Sequence, residues 1–195
     1  MSEYDPSSIV VLAWPEVIRK RPGMYVGDVD DGSGLHHLLW EVAGNVIDLH
    51  LARYATELHV DLARDAWVMV RDDGPGIPVE PAGPGLASIL ETVCATLHAK
   101  ATFDQHFPHV HLGVGMHGVG LAAVNALSAR FEVETTRDGV RWGQAFERGR
   151  VASDLRCLGT TSTVGTTVRF QPDPEIFGAI ELDPSAVARR LQELA

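Results

Sequence analysis

Residues 34–53 read GLHHLLWEVAGNVIDLHLAR. Leu35, Leu38, Leu39, Val42, Val46, Leu49 and Arg53 recur at steps of three and four, the spacing of one face of an α-helix. Ser33 precedes the run as the expected N-cap. A helix with such a face needs a second layer to cover it, and the remaining chain supplies strands. Glu57–Ala63 alternates, with Leu58, Val60 and Leu62 on one side, and Ala66–Arg71 follows a short turn, so the pair reads as a hairpin. Arg130–Thr136, Arg141–Arg148 and Thr166–Phe170 also read as strands. Leu86–Leu97 and His117–Leu127 have helical spacing, His98–Gly120 is loop-like, and Pro184 opens a last helix over Ser185–Leu194. Val10–Arg21 is helical at one end until Pro22-Gly23 breaks the chain. Helices interleaved with antiparallel-looking strands predict an α+β fold, one sheet covered on one face.

The 195 residues suit one ordinary domain. At 45% hydrophobic and 22% charged residues, with mean hydropathy +0.02, the chain can build a core and is neither disordered nor collagen-like. No apolar run has the length of a membrane span, and Met1–Pro6 is polar and acidic, unlike a signal peptide. Two cysteines, Cys94 and Cys157, are too few for a disulfide framework or a structural zinc site. A reduced, cytoplasmic setting is expected. With 16 basic against 26 acidic residues the net charge is −10, so the surface as a whole repels a phosphate backbone and argues against sequence-independent DNA binding.

Three segments have the residue types of a binding site. Glu41, Asn45 and Asp48 stand at i, i+4 and i+7, on one side of the long helix. An amide oxygen suits Mg²⁺, and a neighbouring carboxylate suits a general base on water; the triplet alone also reads as an ordinary solvated helix edge. Asp72-Asp73-Gly74-Pro75-Gly76-Ile77-Pro78 follows a strand. It reads either as a tight turn or as an acceptor for an exocyclic amine, with glycines that let a ligand approach the backbone. Gly113-Val114-Gly115-Met116-His117-Gly118-Val119-Gly120 leads into a helix, where backbone N–H groups can meet phosphate. It lacks the lysine-bearing P-loop ending and the dinucleotide fingerprint. His106, His109 and His111 have no partner at metal-ligand spacing and read as a polar loop.

Taken together, these segments resemble the ATPase domain of the bacterial gyrase B subunit and its topoisomerase IV relative. The likeness extends to Tyr4-Asp5-Pro6-Ser7-Ser8-Ile9, to Arg19-Lys20-Arg21-Pro22-Gly23-Met24-Tyr25-Val26-Gly27-Asp28 and to Gly34-Leu35-His36-His37. It continues through Val124-Asn125-Ala126-Leu127-Ser128 and Gly165-Thr166-x-Val168-Arg169-Phe170. The order of the motifs is that of the wider superfamily shared with histidine kinases and the large cytosolic heat-shock chaperone. The resemblance implies the Bergerat ATP-binding fold, a two-layer sandwich whose mixed, largely antiparallel sheet carries helices on one face. It also implies ATP or ADP as ligand and Mg²⁺ as cofactor. Glu41 would be the general base, Asn45 the Mg²⁺ ligand, and Asp48 a neighbour of the nucleotide. Asp72 would accept from the adenine amino group, with Gly76 and Ile77 beneath the base and Thr166 reaching it directly or through water. Gly113, Gly115, Met116, His117, Gly118, Val119 and Gly120 would hold phosphates in a lid spanning residues 98–120. Tyr4, on an arm of residues 1–15, would reach the nucleotide of a second copy in a weak homodimer.

The chain departs from the resembled pattern at Gly44, usually Asp, at Leu49, usually Glu, and at Pro75, usually Arg. Losing both members of a charge pair avoids a stranded charge. Ala99-Lys100-Ala101-Thr102-Phe103-Asp104 replaces a Gly-Gly-Lys-Phe run, and the sequence holds two lysines, Lys20 and Lys100. Residues 1–195 are expected to form one such ATP-binding domain, with no transducer or DNA-cleavage domain. DNA and a gyrase A-like subunit would enter only through a full-length enzyme, and no membrane partner is expected. The expected function is Mg²⁺-dependent ATP binding and slow hydrolysis in a type II topoisomerase, driving gate closure and strand passage. The alternative is a diverged, stand-alone nucleotide-binding module that acts as a regulator or inhibitor decoy.

Overall fold

In the computed structural model, which describes residues 12–97, 118–179 and 181–194, the stripe of residues 34–53 buries as its spacing requires. Helix α3 (Ser33–Leu51) follows α1 (Glu16–Arg19) and α2 (Gly23–Val26), and it buries Leu35, Leu38, Leu39, Val42 and Val46. The hairpin β1 (Leu58–Leu62) and β2 (Val68–Asp72) comes next, then α4 (Ile89–Ala95) and α5 (Gly120–Ala126). Strands β3 (Ser128–Arg137), β4 (Val140–Glu147), β5 (Arg150–Val151), β6 (Arg156–Thr160) and β7 (Thr166–Pro172) precede α6 (Pro174–Phe177) and α7 (Pro184–Leu194).

The strands form one sheet in the order β1-β2-β7-β3-β4-β5, with β6 also pairing β4. The resemblance implies a mixed sheet; all pairings among the described residues are antiparallel. Val70 faces Val168, Val168 faces Val133, and Phe170 faces Phe131 in register. Phe131 in turn faces Phe146, edge to face at 5.9 Å between ring centres. These inward positions are buried while Arg71, Arg130 and Arg169 between them are exposed, so the helices cover one face. Burial of this size supplies the main folding drive. The last strand, β7, inserts between β2 and β3, and this places Thr166 beside the end of β2.

Several local expectations change. Ser33 is the first residue of α3 rather than its cap: Gly32, at φ +84°, takes the cap position. Asp31 Oδ1 accepts the Ser33 N–H at 2.8 Å instead, because a carboxylate two residues upstream closes the same turn. Pro22 does not end helical structure but opens α2, where its missing N–H costs nothing. Arg53, at φ +63°, stops α3 short of the predicted end. The second predicted helix begins late, at Ile89, because Ser88 Oγ caps it by accepting the Glu91 N–H at 3.1 Å. The next one is described from Gly120 onwards. Strands β5 and β6 and helix α6 lack a sequence period long enough to read.

Arg19, from the Arg-Lys-Arg-Pro run, ties the chain's beginning to this frame. Its Nη1 donates to the Ala126 carbonyl at 2.9 Å, and its Nη2 meets the fully buried Asp173 at 2.7 Å. Asp173 also pairs with Arg148 and caps α6 through the Glu175 N–H. No helix among the described residues is long and apolar enough to cross a membrane.

Candidate functional site

Asp72 ends β2 with 6% of its surface exposed. Its Oδ1 accepts two backbone N–H bonds, from Gly74 at 2.8 Å and from Thr166 at 3.2 Å. Among the described residues Oδ2 accepts none, so one carboxylate oxygen is fixed and the other has no donor there. Burial pushes the Asp72 carboxyl above its ordinary range, and the two N–H donors pull the other way. Two glycines make the seat possible. Gly165, at φ +117°, lies so close that a Cβ would overlap the Asp72 carbonyl oxygen. Gly76, at φ +77°, would drive a Cβ into the Thr136 carbonyl oxygen and to 2.8 Å from Thr135 Oγ1. Thr135 Oγ1 in turn accepts the Ile77 N–H at 2.7 Å, fixing the turn beneath the seat.

A second group of residues forms on α3. The Glu41 side chain is 11% exposed, and its Oε1 lies 2.9 Å from His37 Nε2, one helical turn away. Burial raises the Glu41 pKa while His37 opposes the rise. Gly120, first residue of α5, packs directly on the other oxygen, where a Cβ would overlap Oε2. Asn45 is exposed and its Nδ2 donates to the Glu41 carbonyl at 3.0 Å. A carbonyl accepts only from the amide nitrogen, so the orientation is fixed and Oδ1 is the outward acceptor. Asp48 is half-buried on the same helix.

The structure thus gathers Asp72, Gly76, Ile77 and Thr166 at one end of the sheet, and Glu41 and Gly120 at the α3–α5 contact, with Asn45 one turn further along α3. Gly118, at φ +76°, and Val119 form the turn into α5. Tyr4, Gly113, Gly115, Met116 and His117 lie outside the described residues, as do Lys100, His106, His109 and His111. Sequence reasoning misses His37 despite a legible signal, its place four residues before Glu41. Thr135 has none, being 58 residues from Ile77 in sequence. The departures from the resembled pattern fit locally. Leu49 packs on Gly74, its Cδ1 being 3.1 Å from where a Cβ would stand. Pro75 leaves its carbonyl to accept from Arg137 Nη1 at 3.1 Å.

The raised Asp72 pKa makes native stability depend on pH in a set direction. The folded state holds this proton more tightly than the unfolded chain, so its contribution is full below the unfolded value, about 4, and is lost as pH rises through the raised value. Asp72→Asn keeps an acceptor for both N–H groups and carries no charge. It should stabilise the ligand-free domain relative to the native protein near neutral pH, with the gain vanishing towards about pH 4. Urea unfolding at the two pH values checks this; a pH-independent difference would contradict it. Gly120→Ala should cost about 1–3 kcal/mol by overpacking, most of it recovered when Glu41 is also alanine. A double-mutant cycle reads the coupling, and simple additivity would show that the two residues do not touch.

Residues 30–176 match the family described as histidine kinase-, DNA gyrase B-, and HSP90-like ATPase. The chain is 46% identical over 193 residues to the DNA gyrase B protein of Mycolicibacterium smegmatis, covering 99% of this chain and 28% of that one. It is 45% identical over 196 residues to the DNA gyrase B protein of Streptococcus pyogenes, covering 100% of this chain and 30% of that one. The chain therefore spans under a third of the length of these relatives. Among solved structures it is similar to the 43K ATPase domain of Thermus thermophilus gyrase B, crystallised with an aminocoumarin. There the TM-score is 0.80 and the identity 40%, over 92% of this chain and 44% of that one. Matched over three quarters of its length, the chain belongs to the histidine kinase-, DNA gyrase B-, and HSP90-like ATPase family.

Proposed function

We propose that the chain is the ATP-binding and slowly hydrolysing module of a gyrase B-type DNA topoisomerase. The observation that carries the reading is the buried Asp72 with one oxygen held by Gly74 and Thr166 and the other available. An adenine amino group satisfies that oxygen, whereas the guanine carbonyl at the same place opposes it. Gly76 and Ile77 line the base, and Thr166 borders it. Residues 98–120, with Gly113, Gly115, Met116, His117, Gly118, Val119 and Gly120, serve as the phosphate lid, and Tyr4 on the arm of residues 1–15 reaches a second copy.

Glu41 takes the proton from the attacking water. Its burial raises its pKa and so its strength as a base, and His37 holds one oxygen in place. The Asn45 amide oxygen is a hard donor free to face solvent, so these residues fit Mg²⁺, with Asn45 as its ligand and Asp48 beside the nucleotide. Bound Mg²⁺ would supply charge neutralisation at the phosphates. Gate closure, strand passage, a gyrase A-like partner, DNA and the weak homodimer belong to this reading through the full-length relatives, as does the cytoplasmic setting. The regulatory or decoy alternative is not favoured, since gyrase B proteins align with 99% of the chain and Glu41 is retained.

Calorimetry with ADP should show Asp72→Asn binding about 5- to 150-fold more weakly, the worth of roughly 1–3 kcal/mol, and GTP should bind far more weakly than ATP. Glu41→Ala should keep ATP affinity and lose about 10²–10⁴-fold in turnover. Native turnover should lie well below the roughly 10 s⁻¹ of a typical enzyme. Equal ADP affinity in native and Asp72→Asn protein would remove the assignment.

A further inference from the structure

Beside Asp72, a second carboxylate makes a different set of bonds. Asp73 Oδ1 accepts the backbone N–H groups of Thr56 at 2.7 Å and Glu57 at 3.0 Å, and its Oδ2 accepts the Thr56 hydroxyl at 2.5 Å. These donors hold the Asp73 carboxyl down to about 2, so the clamp is fully charged at any working pH. Thr56 lies in the loop between α3 and β1. The same loop folds back on α3, where the Leu49 carbonyl accepts the Tyr54 N–H at 2.8 Å and His50 Nδ1 lies 3.1 Å from the Ala55 carbonyl.

The loop and α3 together flank Gly74. A Cβ built there would stand 3.1 Å from Leu49 Cδ1, 3.7 Å from Ala55 Cβ and 2.9 Å from Asp72 Oδ1. Gly74 therefore has an apolar wall on one side and the carboxylate that its own N–H orients on the other, with no room for a side chain between them. The wall consists of buried Ala55 and half-buried Leu49, and the chain between Ala55 and β1 is anchored to the seat through Asp73.

We propose that Asp73 is a positioning residue for adenine recognition: by clamping Thr56 and Glu57 it holds Ala55 beside Gly74 and the turn after β2 in place, and so fixes the Asp72 oxygen that meets the base. The inference rests on the nucleotide reading of Asp72 and adds the residue that sets its selectivity. With the clamp removed, the turn after β2 loosens, the Gly74 N–H holds Oδ1 less firmly, and Asp72 can rotate. An acceptor that rotates discriminates less between an amine and a carbonyl. Glu41 stands eight residues before Leu49 on α3, about 12 Å along the axis, and is untouched.

The test is calorimetry of the full chain with ADP and GDP, alongside kcat at saturating Mg·ATP and a thermal melt. Asp73→Ala should lower ADP affinity about tenfold, the worth of one charge-assisted bond, and narrow the ADP-to-GDP ratio with kcat unchanged. Asp73→Asn should recover most of both, since its amide oxygen still accepts the two backbone N–H groups. Thr56→Val keeps those bonds and drops the hydroxyl, so it should move the ratio the same way by a smaller step; it decides the matter should Asp73→Ala not fold. An unchanged ratio in Thr56→Val or in folded Asp73→Ala overturns the proposal, as does an equal fall for both nucleotides. Should Asp72→Asn bind ADP as the native chain does, the nucleotide reading itself falls, which is a separate result from native-like Asp73→Ala beside a crippled Asp72→Asn.

Discussion

The pairing of β7 with β2 is the constraint on which the site depends. It joins residues 94 positions apart, the Thr166 N–H and the Asp72 carboxylate, and it does so at the one point where Gly165 lets two backbones touch. A buried carboxylate is costly unless its oxygens find donors. Here the sheet supplies donors for one oxygen and the turn at Gly74 seconds it, so the energy of the fold is spent holding a half-satisfied acceptor in place. That residual demand is the chemical content of the site. It also explains why glycines stand at 74, 76 and 165, where Cβ atoms would strike the carboxylate, β3 or β2 itself.

Helix α3 carries the second constraint. It is 19 residues long, and its C-terminal end and its middle meet different groups: Leu49 at the Asp72 turn, Glu41 at the first residue of α5. Because both side chains rise from one rigid element packed on β2, the spacing between the Asp72 turn and Glu41 is set by the helix rather than by a loop. The position of α5 is fixed in turn from its far end, where Arg19 donates to the Ala126 carbonyl, Ser128 Oγ to the Val124 carbonyl and Asn125 Nδ2 to the Cys94 carbonyl. The Arg-Lys-Arg-Pro run thereby gains a physical role remote from Asp72. It anchors the helix whose first glycine gives room to the Glu41 carboxylate.

Long periodic elements are legible from residues alone. The α3 stripe, the β1–β2 hairpin and strands β3, β4 and β7 follow from residue spacing. The short pieces are not: β5 is two residues and α6 four, below any detectable period, and the α3 cap passes to Gly32 because Asp31 outcompetes Ser33. Side chains that act across the sequence leave no local mark. Thr135 supports Ile77 from another strand, and Asp73 holds Thr56 17 residues upstream, so neither can be found without the strand order. Glu41, Asn45 and Asp72 are visible as chemistry but become a site only through the motif order of the family. Leu49 and Pro75, departures in sequence, are ordinary packing in space.

On the proposed reading, Asp72 would offer an adenine one fixed and one free oxygen. The most direct test is a titration of ¹⁵N-labelled protein with adenosine, which has the base and none of the phosphates. The amides of Gly74 and Thr166, both bonded to Asp72 Oδ1, should shift together with that of Ile77, while those around His36 and Trp40 on the outer side of α3 stay still. Saturable binding that leaves Gly74 and Thr166 unmoved would place the base elsewhere and contradict the account.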